Sequence, residues 1–395
     1  MSKLIGIPKL RFNSFTENWK VKKNKELLNR ISIAVKVESD KHYTQIGIRS
    51  HGKGIFHKEP VTGKELGNKR VFWVKENCFV VNIVFAWEQA VAKTTLNEIG
   101  MIGSHRFPMY EAVDGQCDID YLLLYFLTKK GKALLELASP GGAGRNKTLG
   151  QKEFENLKFL IPEIKEQQKI ASFFTAIDKK IAQLKQQKEK LELYKKGVMQ
   201  QLFSQQLRFK TDEGNDFPEW EKKKLGEIAD CLDNLRKPLN ETVRQSKKGV
   251  YPYWGANNIQ DYINDYIFDE TIVLLAEDGG NFNEFKTRPI ANISKGKCWV
   301  NNHTHVLRGK SDILVNEYLF YSLVHKDITG FVSGGTRSKL TKNEMLKIAI
   351  NLPSLSEQIK IAQFLSALDE KINKVQQQVQ HTEQWKKGLL QQMFV

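Results

Sequence analysis

The amino-acid sequence predicts an α+β protein with two mixed α/β domains and two long helices that pair as an antiparallel coiled coil. Three observations support this prediction. One segment occurs twice without a gap, over about 42 positions with about 20 identities, which chance does not produce. Both copies carry apolar residues at heptad spacing, and the stretches between them mix strand-like and helical patterns. The predicted boundaries are residues 1–160 for the first domain, 161–204 for the first helix, 205–352 for the second domain and 353–395 for the second helix.

The repeat extends into the domains, where it is weaker. A Leu-Arg-Phe motif stands at residues 10–12 and again at residues 207–209, and each is followed by a tryptophan, Trp19 or Trp220. Outside the repeated parts the two domains differ. The chain is therefore two copies of one plan, and two domains with different surfaces on one frame suggest two different ligands of one kind.

The two long segments have the composition and spacing of a coiled coil. Neither contains an internal proline, and both are rich in residues that favour helix. Their apolar residues follow alternating steps of three and four. The predicted helix-pairing seam consists of Ile170, Phe174, Ile177, Ile181, Leu184, Leu191, Ile361, Leu365, Leu368, Ile372, Val375 and Val379. Each copy interrupts its seam with a lysine, Lys195 or Lys386. Since helices this long rarely lie alone, we expect them to form a spacer between the domains; the alternative is two separate surface helices.

The composition limits the class of partner. Lys plus Arg number 61 against 45 Asp plus Glu, a formal charge of +16, which attracts polyanions such as nucleic acid; the alternative is a protein that is merely lysine-rich. None of the four cysteines forms a C-x-x-C pair, so neither a zinc site nor a disulfide framework is indicated. This cysteine pattern fits a reducing cytoplasm, so we expect a cytoplasmic protein. The longest apolar runs are too short to span a bilayer, so we expect no membrane segment.

Several residues have the chemistry of DNA contacts. Residues 250–270 combine aromatic and amide side chains around a glycine, and an amide binds adenine in bidentate fashion. The alternative for this segment is a packed strand with a turn. Glycine-rich basic loops in both halves offer donors to phosphate, although each of the paired loops could instead be a turn before a helix. The predicted DNA-binding residues are Arg49, His51, Lys53, Arg145, Lys147, Tyr253, Trp254, Asn257, Asn258, Arg337 and Lys339.

The motifs of catalysis are missing from the sequence. There is no G-x-x-x-x-G-K-[ST] loop for ATP, no Asn-Pro-Pro-Tyr or Asp-Pro-Pro-Tyr motif of an amino-methyltransferase, and no acidic cluster typical of a nuclease. The chain is therefore predicted to read DNA without catalysing a reaction. Two alternatives stay open at this point, a stand-alone DNA-binding protein on a coiled-coil rod and a fused nuclease or methyltransferase.

The repeated segment also resembles a known family. Both copies contain Glu-Gln-x-Lys-Ile-Ala followed by an aspartate, at residues 166–171 with Asp178 and at residues 357–362 with Asp369. Together with the stretches at residues 252–263 and 299–303, this pattern resembles the specificity subunit of type I restriction-modification systems. The resemblance covers nearly the whole chain.

The resemblance implies a division of labour. Each domain would read one half of a split, asymmetric target in double-stranded DNA. The paired helices would act as a spacer and as the dock for two methyltransferase subunits, and restriction/translocase subunits would join them. The family implies that S-adenosylmethionine, ATP and Mg are used by those partner subunits, and no cofactor or metal is expected on this chain.

Overall fold

A computed structural model describes residues 7–141, 147–334 and 338–394. The chain folds into two compact units. Unit 1 consists of Met1–Leu184 with Gln378–Val395, and unit 2 consists of Lys185–Gln377. Each long helix contributes residues to both units, because the chain divides after Leu184 and after Gln377, inside the two predicted helices. The four-part division predicted from the sequence stays a prediction.

Unit 1 mixes short strands with short helices ahead of a long helix. Its strands are β1 Lys20–Lys23, β2 Leu28–Ile31, β3 His42–Tyr43, β4 Ile46–Ile48, β5 Ile55–His57, β6 Val61–Thr62, β7 Val71–Trp73, β8 Phe79–Val81, β9 Val91–Lys93, β10 Ile102–Ser104, β11 Met109–Ala112 and β12 Lys158–Ile161. Its helices are α1 Asn24–Leu27, α2 Gly63–Leu66, α3 Ile119–Leu127, α4 Lys129–Leu137, α5 Gln151–Asn156 and the first part of α6 Ile164–Phe203.

Unit 2 repeats this arrangement. Its strands are β13 Glu221–Lys224, β14 Ala229–Cys231, β15 Lys248–Trp254, β16 Ile259–Ile263, β17 Phe268–Asp269, β18 Ile272–Ala276, β19 Ala291–Ser294, β20 Lys297–Val300, β21 Thr304–Gly309 and β22 Ala349–Leu352. Its helices are α7 Leu225–Ile228, α8 Glu241–Ser246, α9 Asn316–Leu323, α10 Lys342–Met345 and most of α11 Leu355–Met393.

Both units are built on the same four-stranded antiparallel sheet. In unit 1 the strand order is β2-β11-β8-β9, and in unit 2 it is β14-β21-β18-β19. A two-stranded ribbon, β1-β12 or β13-β22, leads into each long helix. Unit 2 adds a second four-stranded sheet, β16-β15-β20-β17, in which β15 and β20 run parallel. Among the described strands this sheet has no four-stranded counterpart in unit 1, so the frame is shared and the additions differ.

The long helices pair antiparallel within each unit. In unit 1 the early residues Phe174 and Ile177 of α6 share a core with the late residue Met393 of α11. In unit 2 the late residue Leu202 of α6 shares a core with the early residue Ile361 of α11. Every predicted seam residue is buried except Leu191 and Leu368, which are partly buried. The predicted antiparallel coiled coil is therefore confirmed.

The lysines that interrupt the seam each have a carboxylate partner. Lys386 Nζ lies 2.6 Å from Asp178 Oδ1, and Lys195 Nζ lies 2.5 Å from Asp369 Oδ1. The two lysines occupy the same position in the repeat, and so do the two aspartates. The lysine of each copy therefore pairs with the aspartate of the other copy, and the same interaction forms twice. Each lysine that interrupts the heptad pattern is thus paired with a carboxylate of the other long helix.

One buried ion pair anchors the beginning of each long helix. Arg11 reaches Glu166 with two hydrogen bonds of 2.7 Å, and Arg208 reaches Glu357 with bonds of 3.2 and 2.9 Å. Both glutamate side chains are fully buried. The Leu-Arg-Phe motif and the Glu-Gln motif of each copy therefore meet in space.

Residues 119–137 form two consecutive helices, α3 and α4, instead of one long helix. Thr128 ends α3 and caps α4, where its hydroxyl accepts a hydrogen bond from Gly131 N at 3.1 Å. A Cβ on Gly131 would lie 2.2 Å from Tyr125 O, so only glycine allows this close turn.

Among the described helices, none is long and apolar enough to cross a membrane.

Candidate nucleic-acid interface

In unit 1 the predicted residues Arg49, His51 and Lys53 lie in the turn between β4 and β5. His51 has a positive φ of 61°, and its backbone N–H donates to Glu88 O at 2.7 Å. Arg49 packs over the ring of Phe56 at 4.7 Å, and Lys53 is exposed. The turn is thus held against the segment that follows β8, with its cationic side chains at the surface.

The second basic loop of unit 1 reaches the same segment. Lys147 Nζ lies 5.6 Å from the ring centroid of Trp87, which immediately precedes Glu88 in the chain. The structure therefore brings Lys147 together with the β4–β5 turn around residues 87–89. Arg145, predicted from the same loop, lies outside the described residues.

In unit 2 the corresponding segment follows β18, and one of the two predicted amides, Asn257, contacts it. Asn257 Nδ2 donates to Gly279 O at 2.9 Å, and Asn257 O accepts from Asn292 Nδ2 at 3.2 Å. Asn258 closes the β15–β16 turn, where its carbonyl oxygen accepts from Gly255 N at 2.9 Å, and its side chain is exposed. Asn258 therefore presents an amide to solvent, whereas the amide N–H of Asn257 is already engaged.

Two aromatic residues of the predicted set do not lie at the surface as expected. Tyr253 is 1% exposed, and its hydroxyl accepts a hydrogen bond from Leu239 N at 3.0 Å. Trp254 is partly buried, and its indole N–H donates to Ser294 Oγ at 3.1 Å. Tyr253 is a core residue, because β15 directs this side chain into the interior of the domain. Its burial contradicts the assignment of Tyr253 as a DNA contact. The donor of Trp254 is engaged inside the domain.

Lys339 joins the same loop cluster of unit 2 through an ion pair. Its Nζ lies 3.3 Å from Glu277 Oε1, and its side chain is 51% exposed. The backbone of Lys339 also pairs with that of Ser333, which closes the glycine-rich loop, and forms a bridge with Asp278. Arg337, predicted from the same loop, lies outside the described residues.

A buried network that the sequence did not indicate supports these loops. Arg236 Nη1 donates to Glu277 Oε2 at 2.7 Å and to Thr304 O at 2.9 Å. Its Nη2 lies 3.3 Å from Asp233 Oδ2, so one guanidinium joins three segments of the domain. Next to it, His303 Nδ1 lies 3.0 Å from Asp278 Oδ2.

Asp233 stays ionised within this network. Burial raises the pKa of Asp233, but the hydrogen bond with His305, the backbone N–H of Val306 and the charge of Arg236 outweigh burial and lower the pKa below its ordinary value. His305 itself is buried and lies 2.6 Å from Asp233 Oδ2 through Nδ1 and 2.8 Å from Leu340 O through Nε2. The network thus combines fixed charges with satisfied hydrogen bonds.

Cys231, Asp233 and His305 lie close enough together to suggest a metal site, but their chemistry does not fit one. Burial raises the pKa of the Cys231 thiol to about 11. Both nitrogens of His305 are already bonded, and the guanidinium of Arg236 neutralises Asp233. These residues form a structural network rather than a metal centre.

One signal could have identified this cluster in the sequence. Glu277-Asp278-Gly279-Gly280 follows the buried strand β18 directly, and acidic residues with paired glycines mark a turn at the end of a strand. Functional residues are commonly carried by such loops. Arg236 gave no signal, because its partner Glu277 is distant in the chain.

Comparisons with known proteins agree with this architecture. The family model of the type I restriction modification DNA specificity domain matches residues 16–193 and 218–381, one match in each half of the repeat. A putative type I restriction enzyme specificity subunit of Haemophilus influenzae is 42% identical over 150 residues, which cover 38% of this chain and 37% of that protein. The MjaVIII specificity subunit of Methanocaldococcus jannaschii is 25% identical over 410 residues, covering 95% of this chain and 91% of that protein.

A solved structure shows the same fold. The crystal structure of the type I restriction-modification system S subunit from M. genitalium superposes with a TM-score of 0.62 at 16% sequence identity, over 98% of this chain and 99% of that one. The fold thus defines a class of proteins with two similar α/β units on paired helices. The chain belongs to the family of type I restriction-modification DNA specificity domains, as its repeated motifs predicted. This membership agrees with a DNA-recognition subunit rather than an enzyme.

Proposed function

We propose that this chain reads a split, asymmetric target in double-stranded DNA, one half with each unit. The observation that carries the proposal is the repetition of the frame with different loops upon it. The two four-stranded sheets have the same strand order, and the same Arg–Glu pair anchors each long helix. The loops that contact the segments after β8 and β18 differ, with Arg49 and His51 in unit 1 and Asn258 and Lys339 in unit 2. Different side chains on equal frames support the reading of two different half-sites.

Two copies of a methyltransferase subunit are the proposed partners on the helices. In unit 1, Trp385 is 53% exposed and stands edge-on to Phe173, which in turn contacts Phe12. In unit 2, Phe209 contacts Phe364 in the same way, and the position that matches Trp385 is Tyr194, which is 54% exposed. Exposed aromatic residues are typical anchors of protein interfaces. A surface that occurs once per unit favours two identical partners.

The remaining partners follow from the family. Restriction/translocase subunits would join the methyltransferase subunits and cut unmodified DNA. S-adenosylmethionine, ATP and Mg would be bound by those partner subunits, which would methylate adenine or cleave. This chain would determine the DNA sequence at which those subunits act.

Exchange of one domain tests the proposal. Residues 205–352 would be replaced by the matching segment of another family member, and the methylated motif would be determined by methylation-sensitive sequencing of cells that carry the chimaera. One half of the motif should change, and the other half should stay as in the parent. A chimaera that changes both halves would contradict separate reading.

The control for this exchange is the methyltransferase itself. Since the exchanged segment leaves both long helices in place, the methyltransferase should co-purify with the chimaera at two copies per chain, as with the parent. Loss of the methyltransferase with an unchanged frame would show that the exchanged domain, rather than the helices, forms the docking surface.

A further inference from the structure

The carboxylate of Glu277 is shared by two cations in the loop cluster of unit 2. Its Oε2 accepts a hydrogen bond from Arg236 at 2.7 Å, and its Oε1 lies 3.3 Å from Lys339 Nζ. The two cations differ in their surroundings. The side chain of Arg236 is 13% exposed and that of Lys339 is 51% exposed. Arg236 therefore belongs to the interior, whereas Lys339 can leave the carboxylate without moving the loop that carries it.

We propose that Glu277 competes with the phosphates of DNA for Lys339, and thereby weakens the sequence-independent affinity of this unit for DNA. The inference rests on the proposed function in DNA reading. Upon binding, Lys339 exchanges the carboxylate for a phosphate oxygen. Glu277 then keeps its bond to Arg236.

Arg236 keeps the free-energy cost of this exchange low. A carboxylate that is 16% exposed would be left as an uncompensated charge if its only partner moved away, and such a loss is strongly unfavourable. Here the guanidinium keeps the charge of Glu277 paired. Arg236 is itself fixed by Asp233 and by the carbonyl oxygen of Thr304. It is thus a positioning residue, which acts through Glu277 on the availability of Lys339.

The exchange has a consequence for specificity. Sequence-independent affinity comes essentially from phosphate contacts by lysine and arginine. A carboxylate that occupies such a lysine lowers the affinity for every DNA sequence. Only a site that adds base contacts recovers the loss, so the chain stays for a shorter time on the many sequences that are not its target.

The test compares the full chain with its Glu277→Gln variant on a duplex of random sequence, with dissociation constants measured between about 50 and 200 mM salt. The amide that replaces the carboxylate would keep an oxygen acceptor for Arg236 but carry no charge for Lys339. We expect the variant to bind about two- to fivefold more tightly, the range for one half-exposed ion pair, with a steeper salt dependence. Lys339→Ala should bind more weakly with a salt slope shallower by about 1.

The double variant Glu277→Gln/Lys339→Ala separates competition from a general effect of charge. It should lose the gain of Glu277→Gln, because the gain requires Lys339. The matched control is Glu284→Gln, which removes one exposed charge from the same segment, where Glu284 pairs with Arg288. An equal gain in Glu284→Gln, or a gain that persists without Lys339, would overturn the inference, and so would a Glu277→Gln variant that binds no more tightly than the parent.

A further variant keeps the inference testable if Glu277→Gln does not fold. Glu277→Asp retains the charge beside Arg236 but draws it back from Lys339, so a smaller gain in affinity is expected, and no gain would count against competition. Failure of the proposed function has a different signature. In that case the folded parent would not bind the duplex at the lowest salt, whereas failure of this inference alone leaves the parent binding and the variant unchanged.

Discussion

The two anchors at the beginnings of the long helices are built from matching residues but are satisfied to different degrees. In unit 2 the carboxylate of Glu357 accepts hydrogen bonds from Arg208 and from the indole N–H of Trp220, at 2.9 Å to the latter. In unit 1 the carboxylate of Glu166 is bound by Arg11, and the indole N–H of the buried Trp19 has no hydrogen-bond partner among the described residues.

The difference shows which part of the anchor the frame requires. The Arg–Glu pair is present in both units, so it is the common element. The packing of the tryptophan is also the same in both units, since each indole packs edge-on against a tyrosine, Trp19 on Tyr121 and Trp220 on Tyr318. Its hydrogen bond to the carboxylate occurs only in unit 2. A repeated residue can therefore keep its packing while its polar contact differs.

Removal of the anchoring carboxylate should have the largest effect. Glu357→Ala removes a buried carboxylate acceptor from both Arg208 and Trp220, and we expect a loss of about 3–5 kcal/mol of stability in unit 2. Glu166→Ala should fall at the lower end of that range, because Arg11 loses its two hydrogen bonds to the carboxylate but no indole bond is lost. Hydrogen exchange measured for peptides of each unit would localise the losses. Equal losses of protection would mean that the indole bond of Trp220 adds nothing.

Double-mutant cycles should sharpen the comparison. Combining Trp220→Phe with Glu357→Ala should give a coupling energy of about 1.5–3 kcal/mol, the value of a hydrogen bond to a charged group. Combining Trp19→Phe with Glu166→Ala should give a coupling of less than about 0.5 kcal/mol. Urea unfolding of the four single variants and two double variants measures both. A large coupling in unit 1 would show that Trp19 and Glu166 interact directly.

The ion pairs in the helix seam should give the smallest difference. Asp369 accepts a hydrogen bond from Tyr321 at 2.7 Å in addition to its pair with Lys195, whereas Asp178 is bound by Lys386 and its side chain is 52% exposed. Asp369→Asn should therefore cost about 0.5–1 kcal/mol, and Asp178→Asn less than about 0.5 kcal/mol. Thermal unfolding at low and high salt checks the order, and the reverse order would contradict it.

The two paired helices and the repeated plan of the chain were largely predictable, because the sequence patterns that indicate them are either local or repeated. The heptad steps identified the seam, and the duplication gave each helix its partner. The ion-pair partners of the two interrupting lysines were not predictable, since Lys195 pairs with Asp369, which is 174 positions away in the sequence. The strand order of the sheets was not predictable from the sequence, because strands of only two to seven residues pair with distant strands and carry no register of their own.

The candidate DNA interface was predictable only in part. Asn258 and Lys339 lie at the surface of one loop cluster, as expected of contacts, but Tyr253 does not. An aromatic residue in a strand fits the core as well as the surface, and only the pairing of the strand decides between them. Arg236 and Glu277 were missed because their interaction spans 41 positions. In a chain with many charged residues, the sequence does not indicate which of them lie in contact in the folded protein.

The division of the long helices between the units has a consequence for biosynthesis. Unit 2 is continuous in sequence, from Lys185 to Gln377, so every contact within it is available once that stretch has emerged from the ribosome. Unit 1 is not continuous, because its core includes Leu389, Met393 and Phe394. Domains generally fold as they are made, N-terminal first. Here the first unit to be translated is completed only after the second, and it must wait with part of its core exposed until residues 378–394 arrive.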